Sequence, residues 1–154
     1  MILFTGRRGS GMTLAMARAL TEHVAKGDET WANIHIKGVR FHRDLIGLPE
    51  RRIVLGIDTA LEVITQQEAA WSEKVERFVA WAERTKSVVY LTMQSFGVGV
   101  LHPLIQAATQ VQCRFSQEDK HVTLTNINDG SSVRFDARPF FGVYDTTEIV
   151  GGRL

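Results

Sequence analysis

An apolar run that meets a glycine-rich turn and then a helical stripe constrains this chain more than any other feature. Residues 1–5, MILFT, suit a buried strand, and Gly6, Gly9 and Gly11 follow at once. The next stretch, TLAMARALTEHVAK, carries Leu14, Ala17, Leu20 and Val24 on one helical face, with Lys26-Gly27 as a stop. A buried strand that turns tightly into an amphipathic helix opens a parallel α/β sheet, because such a strand is covered on both faces and the helix covers one of them. The pattern repeats. TWANIHI (30–36), RIVLGI (52–57) and SVVYLT (87–92) read as further strands. WSEKVERFVAWAERTK reads as a second helix, with Trp71, Val75, Phe78, Val79 and Ala82 on one face and Glu73 four residues from Arg77 on another. The last third differs: TQVQCRF and HVTLTNI are strand-like, and NDG ahead of SSVRFDA is a hairpin turn signal. These patterns predict one α/β domain over residues 1–154, a parallel sheet flanked by helices and ending in a C-terminal β-hairpin, closed by RPFFGVYDTTEIV.

Composition narrows the function class. A chain of 154 residues with 44% hydrophobic and 23% charged residues is ordinary for a globular domain with a proper core. A formal net charge of +1 does not announce nucleic acid, so any DNA affinity must be local. The one cysteine, Cys113, excludes an internal disulfide and fits a reducing compartment. It lies in a strand-like run and is expected to be buried and inert. Met1 leads straight into ILFTG without a basic or long apolar leader, so no export signal is expected, and no apolar run reaches the length of a membrane span. The expected location is cytoplasmic.

The glycine-rich turn has the chemistry of a phosphate loop. Glycines let backbone N–H groups turn inward without Cβ clashes, and the helix N-terminus behind them favours anions. Gly6 and Gly11 have the required spacing, Gly9 adds freedom between them, and Thr13 stands where such loops place a hydroxyl for Mg²⁺. The candidate phosphate-binding set is therefore Gly6, Arg7, Arg8, Gly9, Ser10, Gly11, Met12 and Thr13. Met12 is the departure. It occupies the position of the lysine that reaches the β and γ phosphates, and it brings neither charge nor donor. Binding of ATP with Mg²⁺ can persist on amides, helix dipole and metal, but fast hydrolysis is harder to keep. Arg7 and Arg8, inside the loop, are candidates to replace the charge.

Two further strands end in chemistry. RIVLGID finishes at Asp58, directly after an apolar run, as an acid that orients Mg²⁺ and its waters must. Thr59 follows it where hydrolysing enzymes commonly carry a glutamate; the nearest glutamate is Glu62, a weak candidate for polarising water. SVVYLTMQ ends at Gln94, an amide placed to touch a γ-phosphate or the attacking water. Asp58, Gln94 and Glu62 are thus the catalytic candidates, and Thr13 and Asp58 the Mg²⁺ ligands.

With GRRGSGMT, WANIHIKG, IVLGID, ERTKSVVYLTMQ and FFGVYDTTEIV in place, nearly the whole chain resembles the FtsK–HerA superfamily of P-loop ATPases. It is most similar to the compact branch holding the DNA-packaging ATPases of membrane-containing viruses and the zonula-occludens-toxin-like ATPases of filamentous phages. The resemblance implies a RecA-like P-loop NTPase sheet with the Gln94 strand between the Gly6 and Asp58 strands. It also implies a homo-oligomeric ring, or a mixed ring with an active paralogue, with nucleotide at subunit interfaces and double-stranded DNA in the channel. Such a protein would work in the host cytoplasm or the virion. The departures fall on catalytic positions: Met12 for lysine, Thr59 for glutamate, and no arginine after Gln94 until Arg114.

Two other function classes compete with the packaging or translocase ATPase. One is a non-hydrolysing scaffold or regulatory subunit of a viral assembly or DNA-translocating complex. The other is a small-molecule phosphotransferase, which an arginine-rich lid would favour and the hairpin ending does not. His23, His35, His42, His102 and His121 lack metal spacing, and the tryptophans Trp31, Trp71 and Trp81 suit core or helix-capping positions. The segment 37–51 reads as a long basic loop; Lys37, Arg40, Arg43, Arg51 and Arg52 are its candidates for DNA phosphates.

Overall fold

A computed structural model describes residues 1–43, 47–60, 71–94 and 107–144. The first apolar run forms β1 (Ile2–Gly6) and passes through the glycine turn into α1 (Met12–Ala25). There follow β2 (Thr30–Ala32), β3 (Arg40–Phe41), β4 (Val54–Ile57), α2 (Trp71–Thr85) and β5 (Val88–Gln94). Then come β6 (Thr109–Ser116), β7 (His121–Asn126), β8 (Ser132–Asp136) and a 3₁₀ turn over Arg138–Phe140. The strands form a single eight-stranded sheet in the order β3-β2-β4-β5-β1-β6-β7-β8. It is parallel from β3 to β6 and closes with the antiparallel run β6-β7-β8. The Gln94 strand lies between the Gly6 strand and the Asp58 strand.

Successive strand residues point to opposite faces, and this splits the core in two. On one face Phe4, Ala32, Val54, Tyr90, Cys113, Val122 and Phe135 pack against Leu14, Ala17 and Leu20 of α1. On the other, Leu3, Trp31, Leu55, Ile57, Val89 and Leu91 pack against Val75, Phe78, Trp81 and Ala82 of α2. Val79 is only partly buried beside that second cluster, and the side chain of Trp71 lies outside the described residues. Fully burying one such aliphatic or aromatic side chain is worth about 1.5–3 kcal/mol, so these two layers dominate the fold's stability.

The structure corrects the predicted boundaries for identifiable reasons. The second strand stops at Ala32, not Ile36, because the Asn33 amide side chain turns to bind the main chain at Asp58. Ile34 and Ile36 stay buried against the α1-side core without being strand. The long loop 37–51 is interrupted by β3, where Arg40 and Phe41 pair with Trp31 and Ala32. The basic character of that loop is also largely spent locally. Arg51 donates two hydrogen bonds to Glu29 (2.9 and 2.7 Å), Arg52 lies 3.5 Å from Asp28, and Arg40 sits 4.4 Å over the Trp31 ring. The hairpin predicted at NDG forms between β7 and β8, and β6 makes the antiparallel run three-stranded by pairing with β7, while its other edge pairs in parallel with β1. The first turn of that run places Lys120 at φ 57°.

Candidate functional site

The period of two that builds the core also assembles the site. Phe4, Val54 and Tyr90 face α1, and so, two or four residues on, do Gly6, Asp58, Thr92 and Gln94. These positions lie at the carboxyl ends of three adjacent parallel strands, the end at which open α/β sheets bind ligands. Gly6 pairs with Gln94 in the β1–β5 register, and Ile57, just before Asp58, pairs with Leu91, just before Thr92.

The turn between β1 and α1 is tight and filled from inside. A Cβ on Gly6 would fall 2.1 Å from Ser10 Oγ, so the serine occupies the space glycine leaves. Gly11 caps α1 at φ 87°, left-handed backbone, and a Cβ there would meet Val122 Cγ2 at 2.8 Å. No side chain caps the helix and its first turn holds no acid, so its first-turn amides keep their affinity for an anion. Ser10 Oγ is buried without a hydrogen-bond partner among the described residues. Arg7 and Arg8 are exposed; the Arg7 carbonyl accepts the Ser10 N–H at 3.0 Å, and neither side chain makes an ion pair or hydrogen bond with a described residue. Met12 is half-buried and packs against the α1-side core.

Asp58 is the centre of the polar network. Its Oδ1 accepts hydrogen bonds from Thr13 Oγ1 at 3.0 Å and Thr92 Oγ1 at 2.5 Å, while Oδ2 accepts none from a described side chain. The main chain at Asp58 is held by Asn33, whose Nδ2 donates to the Asp58 carbonyl (3.0 Å) and whose Oδ1 accepts the Asp58 N–H (2.7 Å). Burial pushes the Asp58 carboxyl above its ordinary value, and the hydrogen bonds from Thr92, Thr13 and the Thr59 backbone oppose this. No positive charge among the described residues joins them. The Tyr144 hydroxyl is raised as well, first by burial and then by the Asp58 charge. Tyr144 arrives at this end of the sheet through a bridge to Ile36.

Thr59 adds strain. It adopts φ 51°, a conformation that costs a β-branched residue on the order of 1–3 kcal/mol. Its N–H donates to Thr92 Oγ1 at 2.8 Å, and its own Oγ1 is buried without a partner among the described residues.

Of the residues singled out in sequence, Gly6, Ser10, Gly11, Thr13, Asp58 and Gln94 converge here, with Arg7, Arg8 and Gly9 on the exposed rim. Glu62, His102, the stretch after Gln94 and the residues after Tyr144 lie outside the described residues. Thr92 and Asn33 were missed. Thr92 was findable, because it shares its face with Gln94, whereas nothing local in WANIHI marks Asn33. Elsewhere His23 bridges Asp28 (2.6 Å) and Tyr90 (3.1 Å), a structural contact at the end of α1. Among the described residues no group of three or more His, Cys, Asp or Glu gathers for a metal, and no helix is long and apolar enough to cross a membrane. Neither a scan against protein-family models nor a search of curated proteins finds a match to this chain.

Proposed function

We propose that this chain is a P-loop nucleotide-binding protein of the DNA-packaging or translocase type that holds Mg-ATP with weak or impaired hydrolysis. One observation carries the reading: the Thr13 hydroxyl at the start of α1 meets the Asp58 carboxylate at the end of β4, beside a glycine turn with uncapped amides. The donor set fits Mg²⁺, which takes oxygen ligands and is usually held by one or two protein groups with waters and phosphates. Thr13 donates its proton to Oδ1 and keeps its lone pairs, and Oδ2 of a desolvated carboxylate lacks both a described side-chain donor and a described cation. When bound, the metal would neutralise phosphate charge. The amides of residues 9–13 would bind the phosphates, and Gln94, beside Gly6, would orient the γ-phosphate or a water.

A second reading, a non-hydrolysing scaffold or regulatory subunit, is favoured by one feature. Met12 packs on the core where a lysine would reach the phosphates. A ring assembly and double-stranded DNA belong to the first reading; Lys37 and Arg43, exposed on the edge segment, are the basic residues there without local acidic partners among the described residues. Calorimetric titration with Mg-ATP, followed by a hydrolysis assay with and without double-stranded DNA, separates the readings. Binding with DNA-stimulated turnover supports the motor, and binding without turnover supports the scaffold. Absence of Mg-ATP binding would reject the nucleotide-binding reading and leave the scaffold.

A further inference from the structure

We infer that Thr92 is a positioning residue for the cation, acting through Asp58; this rests on the Mg-nucleotide reading of the site. Thr92 is 2% exposed, on the central strand β5, two residues before Gln94 and on the same face. A threonine hydroxyl has one proton and two lone pairs, and here the surroundings fix where they go. The Thr59 N–H occupies a lone pair of Thr92 Oγ1 at 2.8 Å, which leaves the proton directed at Asp58 Oδ1, 2.5 Å away. Thr13 donates to that same oxygen. Both side-chain donors are therefore collected on Oδ1, which leaves Oδ2 without a side-chain donor among the described residues and open to a ligand. The carboxylate is held from two sides in the rotamer that presents Oδ2 together with the Thr13 lone pairs.

The strain at Thr59 gains a purpose from this chain of bonds. The left-handed turn directs the Thr59 N–H to Thr92, and without that bond the Thr92 hydroxyl would be free to rotate away from Asp58. Partners that orient a metal ligand typically contribute ten- to a hundred-fold in metal affinity.

The test is calorimetry on the full chain with three variants: Thr92→Val, Thr92→Ala and Thr92→Ser. Each is titrated with ATP in excess Mg²⁺ and with ATP in EDTA, and each is melted without ligand. The expected result is that Thr92→Val weakens Mg-ATP binding about ten-fold and leaves metal-free ATP binding unchanged. Thr92→Ser, which keeps the hydroxyl, stays close to the unmodified chain. If Thr92→Val is unstable, Thr92→Ala carries the same expectation. Equal loss in Mg²⁺ and in EDTA assigns Thr92 a merely structural role and overturns the inference, as does no loss in either. Failure of the unmodified chain to bind Mg-ATP overturns the nucleotide reading itself, and the inference with it; unmodified binding with an unaffected Thr92→Val overturns the inference alone.

Discussion

Replacing Met12 by lysine should make the protein less stable alone and more stable with nucleotide. The Met12 side chain is half-buried against the α1-side core. Full burial of a methionine is worth about 1.5–3 kcal/mol, so half of that, on the order of 1 kcal/mol, is at stake. The lysine stem recovers part of it by lying along the same apolar surface with its ammonium in solvent. For a domain of this size that predicts a fall in Tm of about 2–4 °C in the absence of ligand. The gain is electrostatic. An ammonium placed over the phosphates adds a charge-assisted contact of about 1.5–3 kcal/mol, or roughly ten- to a hundred-fold in the Kd for Mg-ATP. Binding to the folded state alone converts that affinity into stability, so at saturating Mg-ATP Met12→Lys should melt at or above the unmodified chain. Calorimetry gives the affinities, and melting curves with and without Mg-ATP give the crossover. Hydrolysis should recover less than affinity, because Thr59 offers no adjacent carboxylate. Lower stability with no gain in affinity would refute the reasoning, unless Arg7 or Arg8 already serves the phosphates. Arg7→Ala with Arg8→Ala in the Met12 background decides that point: lost binding assigns them the role, and unchanged binding leaves the loop without phosphates to hold.

Three further outcomes follow from the geometry. Because burial raises the folded-state pKa of Asp58, its contribution to stability is complete below the ordinary carboxylate range and is lost as pH rises through the folded value. Asp58→Asn should therefore gain on the unmodified apo chain as pH rises above the ordinary carboxylate range in denaturant titrations, and a constant difference would count against a desolvated carboxylate. Gly11→Ala places a Cβ 2.8 Å from Val122 Cγ2 in left-handed backbone and should cost about 1–2 kcal/mol or more in stability; a neutral effect would mean the turn is not held against β7. Burial pushes the Cys113 thiol up to about 12, so a thiol reagent at pH 8 should modify the denatured protein and spare the native one.

The sequence exposed the strand-turn-helix unit, the two acid- and amide-bearing strand ends and the antiparallel tail because each depends on local pattern. Asp58 and Gln94 reach the same face by the alternation that buries Val54 and Tyr90, which can be counted in the sequence. The same count reaches Thr92, whose hydroxyl inside an apolar strand was the overlooked signal. Asn33 and β3 were not legible, since both depend on contacts across the sheet: Asn33 on the main chain of Asp58, and Arg40-Phe41 on the edge of β2. The cations of 37–52 were legible as charges, but their partners Asp28 and Glu29 lie in another segment, so the local ion pairs appear only in the fold.

The most direct test of the central claim is a crystal structure of the chain soaked with a non-hydrolysable Mg-ATP analogue. The account predicts phosphate density over residues 9 to 13 on the amides of the turn and of α1, with a cation between Thr13 and Asp58. Phosphate groups bound elsewhere, with this turn empty at saturating nucleotide, would contradict it.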